Sequence, residues 1–256
     1  MAPDPFQAAR TPARRTLGDV TLTDLLLALI VGLGATRLAG VVAILLVAGP
    51  GAAADGDLPD MQLLVVVVLI VQTAGLLGAI YFFAVRRRAL AWSEIGLRPL
   101  GEGWLIRSVA VAVIAFILAS LINLAVQSLM GETPRNPQLD LIAPDGFSWL
   151  GLVVTLAFVG ALVPFAEELF FRGLVYGWLR RRMSVRLAVA ISGVGFAVLH
   201  GVWWLIPALA FLGIVLAVIY ERSGSIWTAV ITHGLFNSLT TVLYYLALAT
   251  GTDLPT

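Results

Sequence analysis

Apolar residues in this chain gather into runs too long for an ordinary globular core, and nothing else constrains the fold as strongly. The runs cover about Leu25–Val47, Leu63–Val85, Trp104–Val126, Trp149–Phe171, Leu187–Tyr220 and Ile226–Ala249. A helix rises 1.5 Å per residue, so about 20 apolar residues cross the roughly 30 Å hydrocarbon core of a bilayer. Lipid offers no hydrogen bonds, so every backbone N–H and C=O must be paired within the protein. Runs of this length therefore specify helices. The stretch Leu187–Tyr220 is too long for one ordinary span, and Pro207 with the Gly201 region divides it into two. The expected fold is all-α: a polytopic transmembrane helical bundle of about seven spans, within limits of six to eight.

Composition supports that class. The 256 residues are 60% hydrophobic and 12% charged, where a soluble domain averages about 25% charged. A net charge of +1 gives no basic patch for nucleic acid, so no nucleic-acid partner is expected. Cysteine is absent, which excludes disulfides, thiolate metal sites and cysteine nucleophiles together. All the basic residues are arginine. With the many alanines and glycines, this reads as the mark of a GC-rich, bacterial genome.

Arginine placement predicts the orientation. Arg10, Arg14 and Arg15 precede the first span; Arg86, Arg87, Arg88 and Arg98 follow the second; Arg180, Arg181, Arg182 and Arg186 follow the fourth; Arg222 follows the sixth. The loop after span one instead carries Asp55, Asp57 and Asp60, and the loop after span three has Arg135 alone among Glu132, Asp140 and Asp145. The positive-inside rule puts the amino terminus and the arginine clusters in the cytoplasm. An integral protein of the bacterial plasma membrane is expected. The first run exceeds the roughly 7–15 residues of a cleavable signal core, so it reads as a retained span. Three parts follow: a cytoplasmic tail over 1–23, an N-terminal three-helix membrane part over 24–130, and a helical core over 148–249. No internal repeat supports an inverted-repeat transporter.

Two carboxylates and both histidines of the chain stand inside the apolar runs: the adjacent pair Glu167 and Glu168, with His200 and His233. Such groups are costly in lipid and mark functional sites unless paired or hydrated. In Glu167-Glu168-Leu-Phe-Phe-Arg172, Glu168 and Arg172 stand at i and i+4 on one helical face, in the favoured order for an ion pair. Glu167 points about 100° away around the helix and lacks that partner. One carboxylate is structural and the other is free to act. In His233-Gly-Leu-Phe-Asn237 an imidazole and an amide share one stripe; helix–helix adhesion is the plainer explanation. His200, four residues after Phe196, reads alone as a packed or capping histidine. At 1.5 Å per residue, the depths of all three elements are compatible with one shared cavity.

Taken together these elements resemble the CPBP family, which contains the CAAX prenyl endopeptidases of the Rce1 type and the bacterial Abi, or bacteriocin-processing, membrane proteins. Its three motifs, EExxxR, FxxxH and HxxxN/D, are matched in order by Glu167, Glu168 and Arg172; by Phe196 and His200; and by His233 and Asn237. The resemblance covers about residues 150–240 and implies an intramembrane endopeptidase without a covalent enzyme intermediate. It implies that Glu167 and His200 activate a water and that His233 and Asn237 form an oxyanion hole, with Glu168 and Arg172 in support. No cofactor is required on this reading. A peptide or protein substrate with a membrane-associated segment is the implied partner.

Other readings stay open. A zinc metalloprotease would take Glu167, His200 and His233 as ligands and leave one position open, although no HExxH pair is present. A proton-coupled transporter would use the same groups as a relay, and a non-catalytic immunity or binding protein would keep only the scaffold. Arg37 stands alone in the first span and reads as an interhelical pairing residue, with a weaker reading as a substrate contact. Phe196 is a weak substrate-contact candidate beside it.

Overall fold

Large aliphatic side chains cover the outer surface of the bundle, while small and polar residues lie inside among larger apolar ones. The computed structural model describes residues 15–47, 61–132, 134, 136–144 and 146–252, without the side chains of residues 33, 35–37, 39, 40, 42–44, 46, 47, 140 and 141. Among these residues eight helices follow in order, short 3₁₀ turns aside: α1 (Leu22–Val47), α2 (Met61–Arg86), α3 (Trp104–Met130), the short α4 (Pro137–Ile142), α5 (Trp149–Arg180), α6 (Val185–Leu199), α7 (Ile206–Ser223) and α8 (Ile226–Thr250). Helix α2, α3, α5, α8 and the stretch Trp203–Ser223 are long and apolar enough to cross a membrane; Leu22–Gly32 and Val185–Leu199 are shorter apolar helices. The protein is a polytopic helical membrane bundle. Seven spans require α1 and α6 to be counted with the five.

Helix α3 displays the packing rule. Ile106, Val113, Ile117 and Leu121 are exposed, while Ser108, Ala112, Ala115 and Ala119 are buried in a stripe of three- and four-residue steps. Small residues let backbones approach without a hydrophobic driving force between helices. That stripe faces α7 and α8, and Thr232 on α8 donates to the Ser108 carbonyl at 3.2 Å.

Pro207 and Gly201 divide α6 from α7 as expected. Helix α6 ends at Leu199, Gly201 turns the chain with φ at 73°, and Pro207 sits in the first turn of α7. The two helices then run back along each other. A Cβ at Gly213 would come within 2.6 Å of the Gly193 carbonyl oxygen, so glycine is required where the backbones touch.

Loops at one end of the bundle are tied together. Ile226 donates its N–H to the Gly96 carbonyl at 2.8 Å, and Ser225 Oγ donates to the Arg98 carbonyl at 2.8 Å. The starts of α1 and α8, the ends of α2, α5 and α7, and their arginines therefore share that end. Asp24, at the edge of the first span, is buried there. It accepts from Arg88 Nε at 2.7 Å and lies 3.1 Å from Arg87 Nε. The aspartates of 55–60, most of the 1–23 tail and the Arg37 side chain lie outside the described residues.

Candidate active site

Helix α5 is irregular where it matters. Between its α-helical segments lie two π-helical stretches, Phe158–Leu162 and Leu169–Tyr176. In an α-helix the Pro164 ring would clash with the carbonyl four residues earlier, that of Gly160. The wider π turn just before Pro164 relieves that clash and leaves carbonyls free for other partners. Helix α8 uses them: Asn237 Nδ2 donates to the Val159 carbonyl at 3.0 Å. Gly234 passes so close to the Gly160 carbonyl that no Cβ would fit.

The second π stretch begins directly after the paired carboxylates. Arg172 NH1 donates to Glu168 Oε1 at 2.8 Å, and its NH2 donates to the Gly213 carbonyl on α7 at 3.0 Å. Both side chains are fully buried. Glu168 Oε1 also receives His233 Nδ1 at 2.9 Å. A carboxylate oxygen flanked by a guanidinium accepts, so Nδ1 carries the proton in this bond. Glu168 thus joins α5 to α8, and Arg172 joins α5 to α7.

Glu167 is differently placed. Its side chain retains 12% exposure against none for Glu168, and Glu167 Oε2 stands 4.0 Å from His233 Nε2. His200 Nδ1 lies 2.7 Å from the Phe196 carbonyl. A carbonyl can only accept, so this bond also puts the proton on Nδ1 and leaves Nε2 free. Phe196 itself is fully buried. Its ring centroid lies 4.5 Å from that of His200 and 5.5 Å from that of His233, with the Arg172 guanidinium 4.7 Å above it. One aromatic wall therefore orients both imidazoles and covers the cation.

Glu167, Glu168, Arg172, Phe196, His200 and His233 are joined by direct contacts or by the shared Phe196 ring, while Asn237, one turn beyond His233 on α8, contacts the Val159 carbonyl of α5. Of the two imidazoles, His233 is the one within 4.0 Å of a carboxylate. Among the described residues no three His, Asp or Glu side chains are grouped so as to hold a metal ion. Sequence reasoning missed two backbone partners, the Gly213 and Val159 carbonyls. Pro164 was the one hint of the second.

Residues 148–239 match the family model described as type II CAAX prenyl endopeptidase Rce1-like. That interval contains all seven of these side chains. The chain is also 24% identical over 152 residues to the UPF0177 protein YxdF of Lactococcus lactis subsp. lactis, covering 58% of this chain and 84% of that relative. No solved structure matches the chain significantly.

Proposed function

From the match of residues 148–239 to the Rce1-like family model, we propose that this chain is a membrane endopeptidase of the CPBP type that hydrolyses a peptide bond within the bilayer by glutamate-activated water. The observation that carries the reading is the division of the acidic pair. Glu168 is engaged through Oε1 by Arg172 and His233 and is fully buried, its Oε2 left without a hydrogen-bond partner among the described residues, while Glu167 keeps a partly exposed carboxylate facing an imidazole.

In the proposed reaction Glu167 takes a proton from a water, and the oxygen attacks the scissile carbonyl carbon. His200, whose Nε2 is left free, orients that water. Negative charge moves onto the carbonyl oxygen and is met by donors from α8. Asn237 spends one amide N–H on Val159 and has a second to offer. His233 donates through Nδ1 to Glu168, so donation to the oxyanion requires a proton on Nε2 as well. Collapse breaks the C–N bond, and the proton held by Glu167 passes to the leaving amine. The burial of Glu168, Arg172 and Phe196 keeps these groups preorganised, which is where such stabilisation is strongest.

Glu167, His200 and His233 are not grouped as three metal ligands, an arrangement that does not fit a zinc held by that set. The substrate is proposed to be a peptide or protein with a membrane-associated segment; the family description names a CAAX prenyl endopeptidase. Purified protein in detergent, offered membrane-anchored peptides with and without a strong chelator, tests the reading. Cleavage that persists with chelator is expected. Loss with chelator and recovery on adding zinc would replace glutamate chemistry by metal chemistry. Solute flux in liposomes without any cleavage would favour a transporter.

A further inference from the structure

A second site lies outside the catalytic assembly, in an open cleft of about 630 Å³ between α3 and α7. Its volume falls within the roughly 300–1,000 Å³ typical of small-ligand sites. Its walls are aliphatic, from Val111 on α3 and from Ile214, Val218 and Ile219 on α7. At one end stand Arg107 and Arg222, in the first turn of α3 and the last turn of α7. This is the arginine-rich end of the bundle.

Those two arginines differ from most of their neighbours, Arg86 and Arg186 being likewise exposed without an ion-pair partner among the described residues. Arg87 and Arg88 are paired with Asp24, Arg180 with Glu221, and Arg181 with Glu94. Arg182 is spent on backbone carbonyls and Arg98 on the Ser93 carbonyl. Arg107 and Arg222 are exposed and have no ion-pair partner among the described residues. Glu221, next to Arg222, already accepts from Tyr176 and Arg180. Arg107 rests over the Trp104 ring at 5.0 Å, which aims its guanidinium along the helix end. No side chain caps the N-terminus of α3 at Gly103, so the first N–H groups add to the positive field.

Two cations above an aliphatic trough call for a ligand that is anionic at one end and apolar along the rest. We propose that this cleft binds one anionic phospholipid, with its phosphate between Arg107 and Arg222 and an acyl chain laid along Val111, Ile214 and Val218. A neutral lipid would leave both guanidiniums unanswered. A second copy of the chain would bring its own arginines to the same place.

The test uses full-length protein in neutral-lipid nanodiscs, titrated with phosphatidylglycerol and followed by native mass spectrometry and thermal unfolding. Expected is saturable binding of one phosphatidylglycerol with a rise in Tm, and no comparable effect of phosphatidylcholine or inorganic phosphate. Each of Arg107→Gln and Arg222→Gln should weaken binding about fivefold, the strength of one arginine near an anionic headgroup. Arg86→Gln, on the same face, should change it less than twofold. Val111→Trp, which fills the trough, should abolish binding while its Tm in phosphatidylcholine stays near that of the unsubstituted protein. The proposal is overturned if phosphatidylcholine binds equally, if phosphate alone protects, or if Arg86→Gln weakens binding as much as the other two. A dimer that Val111→Trp dissolves would assign the cleft to a second copy instead.

Discussion

At the scale of single residues, burial separates two kinds of polar group. Arg172 is fully enclosed, with Glu168 and the Gly213 carbonyl as its partners. Removing one partner of a buried pair leaves the other charge uncompensated, which costs about 3–5 kcal/mol. Arg172→Ala should therefore shift detergent-solubilised unfolding by that order, whereas Glu168→Leu combined with Arg172→Leu should destabilise less than the single change. A neutral Arg172→Ala would remove the structural role given to the pair. Asn237 should behave differently. If its second N–H meets the oxyanion, Asn237→Ala lowers kcat about 10²–10³-fold with little change in KM. Equal loss of activity and of stability would make it a tie between α8 and Val159 only. The pairing of Glu168 with Arg172 was legible in their four-residue spacing. The bond from His233 to Glu168 was not, because spacing within a helix says nothing about which face of another helix it will meet.

Helices were legible to different degrees, and the reason is length. Runs of twenty or more apolar residues have one backbone solution in lipid, so α2, α3, α5 and α8 could be read directly from the sequence, and Gly201 with Pro207 marked the break between α6 and α7. The π-helical stretches of α5 carry no comparable pattern. An apolar sequence satisfies either hydrogen-bond register, and Pro164 alone hints that the α register fails there. Close approach is legible only after the partners are known. Gly193 and Gly213 look like any other glycines in an apolar run, yet each abuts the other's backbone. Gly213→Ala should force α6 and α7 apart and cost about 1–3 kcal/mol, the usual range for overpacking. It should also disturb Arg172, whose acceptor is the Gly213 carbonyl. Gly195→Ala is the control, because a Cβ there meets open space. Thermal unfolding of both variants checks the contrast; equal effects would contradict the close approach.

For the whole molecule, the alternation of arginine-rich and arginine-poor loops makes a prediction about sidedness. Glu102 and Glu132 flank α3 and are exposed at its two ends. The chain has no cysteine of its own, so single substitutions report cleanly. Glu132→Cys should react with a membrane-impermeant maleimide added to intact cells, and Glu102→Cys only after lysis. The opposite pattern would invert the bundle and move the arginine-rich end to the outer face. The proposed catalytic assembly draws on side chains of α5, α6 and α8 and on the Gly213 carbonyl of α7. In the proposed reaction Glu167, not its fully buried neighbour Glu168, performs the chemistry. The most direct measurement is single-turnover cleavage of a membrane-anchored peptide in proteoliposomes by the unsubstituted protein and by Glu167→Gln, with unfolding of both followed in parallel. A fall of about 10²–10⁴ in rate with an unchanged unfolding midpoint is predicted for loss of a general base. Cleavage by Glu167→Gln at the unsubstituted rate would contradict the account.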